Sequence, residues 1–257
     1  MTWKKFPNPD KAFAYPGAAL QKNWARLHCG DCEPFPDNAK VQAAWRSYHA
    51  GDFGKAVALG LACGMAGHAA ANKAAIVYAS YLETDEERLL TLLLDAAQRC
   101  EEQQRVMPQY ANAWYLHAYA LGRYSQRISV LKALTQGLGN KIKNSLTQAL
   151  TLEPKHADAH IALGAYHAEV IDKVGALVGG LTYGAKKTTG VEHFETALKL
   201  NPDSAIARVE FANGLAMMFG NARIKDAERY YQEAAACTAA DAMEWLDIET
   251  ARNELED

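Results

Sequence analysis

The chain has 257 residues, 49% of them hydrophobic, and its 27 basic and 30 acidic residues leave a net charge of −3. A chain of this length can bury roughly three quarters of its unfolded surface, so a compact core is within reach. The balanced charge gives no basic excess for nucleic acid or a membrane surface, and five cysteines, an odd number, do not make a closed disulfide framework.

The N-terminal stretch carries Lys4 and Lys5 but then Phe6-Pro7-Asn8-Pro9-Asp10, where an export signal needs an unbroken apolar run. The longest apolar segment, Val174 to Leu181, is broken by glycines and far short of the roughly 20 residues that span a bilayer. The expectation is a soluble protein of the reducing cytoplasm. Residues 1–37 are rich in proline, glycine and aromatics and end in Glu33-Pro34-Phe35-Pro36-Asp37. Such prolines remove backbone donors and disfavour helical geometry before them, so 1–37 reads as an irregular leader that packs across the first hairpin of a helical domain over 38–257.

From Asn38 onward alanine is abundant, and Gly and Pro fall chiefly between periodic segments, which predicts helices throughout and no strands. A first hairpin carries Trp45, turns at Gly51-Asp52-Phe53 and places Ala56 on its second helix. A second spans Asn72 to Tyr81 and Glu86 to Met107, with Thr84-Asp85-Glu86-Glu87 as a capping start. Pro108, Pro154 and Pro202 then recur 46 and 48 residues apart, the last two in near-identical joints, Ala149-Leu150-Thr151-Leu152-Glu153-Pro154 and Ala197-Leu198-Lys199-Leu200-Asn201-Pro202. The last segment, Asp241 to Arg252, reads as an amphipathic helix whose Met243, Leu246 and Ala251 cap the final hairpin while its acids face water.

A helix ending Ala-Leu-x-Leu, a proline turn, and a helix opening on small residues resembles the joint of the tetratricopeptide repeat (TPR) superfamily. Trp114 and Ala118, the Leu163-Gly164 pair, Phe194, Ala197 and Pro202, and then Ala227, Tyr231 and Ala234 match parts of its consensus. The repeat spacing exceeds the usual period of about 34, which places insertions at Gln136 to Asn140 and Gly175 to Gly190. These long inserts are similar to an irregular subgroup that includes the T components of tripartite periplasmic transporters and the regulators of microtubule dynamics. The transport role is not implied, because an export signal and a lipid-attachable cysteine are missing. The resemblance implies an all-α, right-handed α-solenoid of TPR-like hairpins with about ten or eleven helices.

The resemblance also places a concave groove on the first helices of the hairpins. Its inward positions fall on Asn112, Tyr115, Tyr119 and Arg123, then on Asp158, Ile161, Ala165 and Glu169, then on Val209, Asn213 and Met217. The partner-binding residues expected among them are Asn112, Tyr115, Tyr119, Arg123, Asp158, Ile161, Glu169 and Asn213. Tyr and Arg commonly dominate interface energy, which points to a protein or peptide partner. Tyr115 and Ile161 stand where the chaperone-tail clamp of some family members needs a cation, so that cargo is disfavoured. The leader or the C-terminal helix filling the groove is the competing role for Tyr115 and Tyr119.

Chemistry has few footholds. His28-Cys29-Gly30-Asp31-Cys32 offers half a zinc site or a redox couple, but no second cysteine pair follows and Pro34 and Pro36 break any helix after it. His117, His160, His167 and His193 fall at positions that face neighbouring helices, where packing is the expected role. No catalytic or phosphate-binding motif is present, so neither an enzyme nor a cofactor is expected. A non-enzymatic interaction scaffold is the leading reading. Self-assembly to a homo-oligomer through the glycine-rich insert, or metal or redox use of His28, Cys29 and Cys32, are the alternatives.

Overall fold

A computed structural model describes residues 2–256 and is helical throughout, with no strand among the described residues. The helices are α1 (Ala19–Leu27), α2 (Ala39–His49), α3 (Phe53–Ala62), α4 (His68–Tyr81), α5 (Glu86–Val106), α6 (Ala111–Arg127), α7 (Val130–Thr135), α8 (Leu138–Leu152), α9 (Ala157–Val174), α10 (Ala176–Tyr183), α11 (Lys187–Leu200), α12 (Ala205–Phe219), α13 (Ile224–Ala235) and α14 (Ala242–Glu256). Setting aside α1 in the leader and α7 and α10 in the two inserts leaves the expected stack of hairpins: α2/α3, α4/α5, α6/α8, α9/α11 and α12/α13, with α14 after them.

Local chemistry sets the boundaries. The three proline turns separate α5 from α6, α8 from α9 and α11 from α12. His156 and Ser204 close the last two by accepting from the backbone N–H groups of Ala159 and Ala207, satisfying donors that have no partner inside a helix. Helix α5 is capped by Asp85, which accepts from Arg88 N at 2.8 Å. Stacking depends on small residues. Phe194 is fully buried between α9 and α12, and a Cβ at Gly164 or Gly214 would come within 2.8 or 2.6 Å of its ring. Both positions therefore admit only glycine without repacking. Helix α4 is buried on every side, its Ala69, Ala70, Ala74, Ala75 and Ala79 letting α3, α5 and α6 approach closely.

Two features of the ends differ from the sequence-based expectation. The leader is not wholly irregular: Lys11–Phe13 forms a short 3-10 turn and Ala19–Leu27 a helix, because Leu20 and Trp24, one turn apart, are buried together in the core while Gln21 and Lys22 stay outside. And the first acids of the α14 segment turn inward, while Glu254 and Glu256 near its end face water. Asp241 and Asp247 are buried, the latter only 1% exposed, because α14 turns one side toward the first hairpins as well as the other toward the last. Its Leu246, Ile248 and Ala251 are buried. Its polar side bonds His49 of α2 (Asp241, 2.7 Å), Tyr81 of α4 (Asp247, 2.5 Å) and Arg26 of α1 (Glu244, 2.6 Å). The first helices α2, α4, α6, α9 and α12 touch in sequence, and α14 touches both α12 and α2. The row bends until its ends meet.

Candidate functional site

The hollow side of this row is largely occupied by the chain itself. The leader after α1 runs across it: Gly30 O accepts from Asp158 N at 2.9 Å, and its Cα lies so close to the Asp158 carboxylate that a Cβ there would collide with it. Asn112 donates to Asp31 O (3.0 Å) and to the Glu33 carboxylate (2.6 Å), which Tyr110 also bonds. Its Oδ1 accepts from His156 at 2.9 Å. Asn112 is thus buried under the leader rather than facing an open groove, because a short polar side chain at this register meets backbone groups that need partners.

The anchor of the leader is ionic. Lys73, on the otherwise alanine-lined α4, reaches Asp31 at 2.5 Å and Asp158 at 3.9 Å. His28, stacked on Trp24 at 3.9 Å, donates Nδ1–H to the other oxygen of Asp31 at 2.8 Å. Burial alone would raise the Asp31 carboxyl, but His28 and Lys73 beside it hold it well below the ordinary carboxylate range. His28 itself is pushed down to about 4 by burial and serves as a neutral donor. Asp158 moves up to about 6, through burial first and the nearby Asp31 among lesser causes, with Lys73 opposing.

What the leader and α14 leave open is a cleft of about 750 Å³ with its mouth to solvent. Six of the eight expected partner-binding residues line it: Tyr115, Tyr119, Arg123, Asp158, Ile161 and Glu169, together with Ala165. Tyr115 and Tyr119 stack at 5.8 Å, and Tyr115 rests against His156 at 4.5 Å. Arg123 lies over the Tyr119 ring and pairs with Glu210 of α12 at 2.8 Å. Glu169 accepts from Gln126 (2.9 Å) and pairs with Lys173 (2.7 Å). The cleft therefore has an apolar, aromatic floor and a rim of charges that already have partners.

Asn213 is not part of this cleft. It faces an adjoining hollow with Val209, which meets the cleft at Arg123, Ile206 and Glu210, and its Oδ1 accepts from the Tyr231 hydroxyl. Met217 packs into the core around Phe194. Conversely, Tyr166, Ile206, Glu210 and Met243 line the cleft without having been expected. Tyr166 follows Ile161 and Ala162 around the same face of α9, a signal within reach of the helical period. Met243 is there only because α14 returns to the first hairpins, which no local pattern announces.

The thiols of the His28–Cys32 segment diverge: Cys29 Sγ bonds Leu200 O and Cys32 Sγ bonds Lys155 O, and both are free. Burial, first among its causes, pushes the Cys32 thiol up to about 12, which disfavours the thiolate that metal or redox work requires. Among the described residues no group of three or more His, Cys, Asp or Glu is placed to hold a metal ion. His117 is buried against Ser145 of α8, and His160 bonds His193 of α11 at 2.9 Å, so these imidazoles join neighbouring helices. Among the described residues no helix is long and apolar enough to cross a membrane.

No known family pattern matches the chain, and no curated protein matches it in sequence. Its architecture is similar to the crystal structure of a thermophilic TPR protein of Thermus thermophilus, with a TM-score of 0.59 at 14% identity, over 83% of this chain and 97% of that one. The likeness is one of fold: this chain has an all-α helical-repeat fold similar to that of the TPR structure.

Proposed function

We propose that the chain is a non-enzymatic protein-interaction scaffold that holds a short segment of a partner in the cleft over Tyr115, Tyr119 and Ile161. The observation that carries the reading is a cleft that remains after the leader and α14 have covered the rest of the hollow side, with Tyr119 half-buried in its floor and Tyr115 and Ile161 buried beneath it. A hollow of this size takes a few side chains, not a whole helix. Affinity comes from desolvating Tyr119 with the half-buried Ala162, Ile206 and Met243 around it, and register from Arg123, Asp158 and Glu169 at the rim.

The test is a partner capture with the intact protein and with Tyr119→Ala, whose half-buried ring is removable without opening the core. A partner retained by the parent and lost by the variant supports the cleft as the binding surface. Identical partner lists remove it.

A further inference from the structure

The two inserts that lengthen the repeats do not belong to the cleft. Helix α7 packs on α8 and helix α10 on α9, and the two inserts border one hollow: Val130 and Leu134 of α7 and Tyr183 of α10 line it together with Val174 at the end of α9, and Lys143 Nζ of α8 donates to Tyr183 O at 2.8 Å. Both expose large apolar side chains. Leu131 is 72% exposed, Leu177 77% and Leu181 82%. Side chains this exposed protrude rather than line a groove; Leu177 and Leu181, one turn apart, share a face of α10, and exposed apolar surface of this kind marks an interaction site.

The charge carried by the two inserts themselves is of one sign. From Arg127 to Leu152 the charged residues are Arg127, Lys132, Lys141 and Lys143, and from Lys173 to Val191 they are Lys173, Lys186 and Lys187, with no Asp or Glu in either span. Lys173 pairs with Glu169, but Arg127, Lys132, Lys141 and Lys186 are exposed and form no ion pair among the described residues. Glu153, Asp172 and Glu192 stand at the ends of these spans, and Glu169, the partner of Lys173, lines the hollow between the inserts. The net charge of −3 conceals this segregation. A second copy of the chain would bring the same cations against themselves, which opposes self-association through this face.

We propose that α7 and α10 form a peripheral docking surface for an anionic lipid bilayer, the leucines entering the headgroup region and the lysines meeting lipid phosphate. Protruding apolar residues flanked by Lys and Arg are the chemistry of interfacial membrane binding, in which apolar burial and attraction to anionic lipid add. The site is independent of the Tyr115 cleft, so either can fail without the other.

The experiment is co-sedimentation of the full chain with vesicles of phosphatidylcholine alone and of phosphatidylcholine mixed with phosphatidylglycerol. The expected result is binding to the mixed vesicles and little to the neutral ones, reduced at least about tenfold by Leu177→Glu with Leu181→Glu, and also by Leu131→Glu on the other insert. Raising salt from about 0.1 to 1 M shortens screening from about 10 to 3 Å and should release most of the protein. These side chains are exposed, so the variants keep the parent's unfolding midpoint. Absence of binding to the mixed vesicles, or binding indifferent to all three leucines, overturns the proposal. So does a leucine-dependent complex with an acidic protein in the absence of vesicle binding.

Discussion

Lys73→Met is the sharpest perturbation of the link between leader and repeat. It keeps most of the aliphatic stem and removes a charge sitting 2.5 Å from Asp31 and 3.9 Å from Asp158. At an effective dielectric of about 20 these two attractions are roughly 7 and 4 kcal/mol in gross terms. Most of that is cancelled by the desolvation of all three groups and by the repulsion between the two carboxylates. Removing one partner of a buried pair costs about 3–5 kcal/mol in practice, because the other charge stays behind without compensation. In a chain of this size, 1 kcal/mol moves the melting temperature by roughly 2–4 °C, so the variant should melt about 6–20 °C lower. Calorimetry measures the shift, and limited proteolysis between Gly30 and Asp37 reports release of the leader. Adding Asp31→Asn to Lys73→Met should recover part of the loss, since the stranded carboxylate is then gone. A Lys73→Met protein that melts within a degree or two of the parent, or a double variant whose losses simply add, refutes the reasoning.

Asp247 gives a pH signature. Burial, first, and the neighbouring Asp241 and Glu244 raise it to about 8, so the folded protein keeps a proton that the unfolded chain releases near pH 4. Between those values the native state binds more protons, so its stability falls as pH rises, by at most about 1.4 kcal/mol per unit from this group. Asp247→Asn retains an acceptor for Tyr81 and should flatten that slope, gaining about 1–3 kcal/mol over the parent at pH 9 relative to pH 5 in urea titrations; an unchanged slope contradicts it. Gly214→Ala should cost about 1–3 kcal/mol by forcing Phe194 out of its slot, and equal urea midpoints would count against the close packing described. Cys100, fully buried, accepts from Asn72 at 3.3 Å and is pushed up to about 12 by burial. It should resist a thiol reagent at pH 8 until the protein unfolds, whereas prompt modification in the native state would place it elsewhere.

The hairpins were legible in the sequence because their signals are local: the proline turns, Gly164 with Phe194, and the small residues at Ala118, Ala197 and Ala227 each report a neighbour one helix away. Tyr115, Tyr119, Ile161 and Glu169 were reachable for the same reason, by counting turns from those joints. The closing of the row was not. It rests on Lys73, Asp31, Asp241 and Asp247, charged residues that any local rule assigns to the solvent. Their burial follows from pairing between segments as far apart as Asp31 and Lys73, or His49 and Asp241. For that reason the leader looked irregular, Asn112 looked free and the acids of α14 looked exposed.

The cleft itself is tested most directly by site-specific photo-crosslinking. A photoreactive side chain placed at Gln126, on the rim beside Arg123 and Glu169, is compared in cells with the same group at Gln98 on the outer face of α5. A partner seated in the cleft gives a discrete protein adduct from Gln126 that is absent from Gln98 and disappears with Tyr119→Ala. Adducts that are the same from both positions, or that persist without the Tyr119 ring, would contradict it.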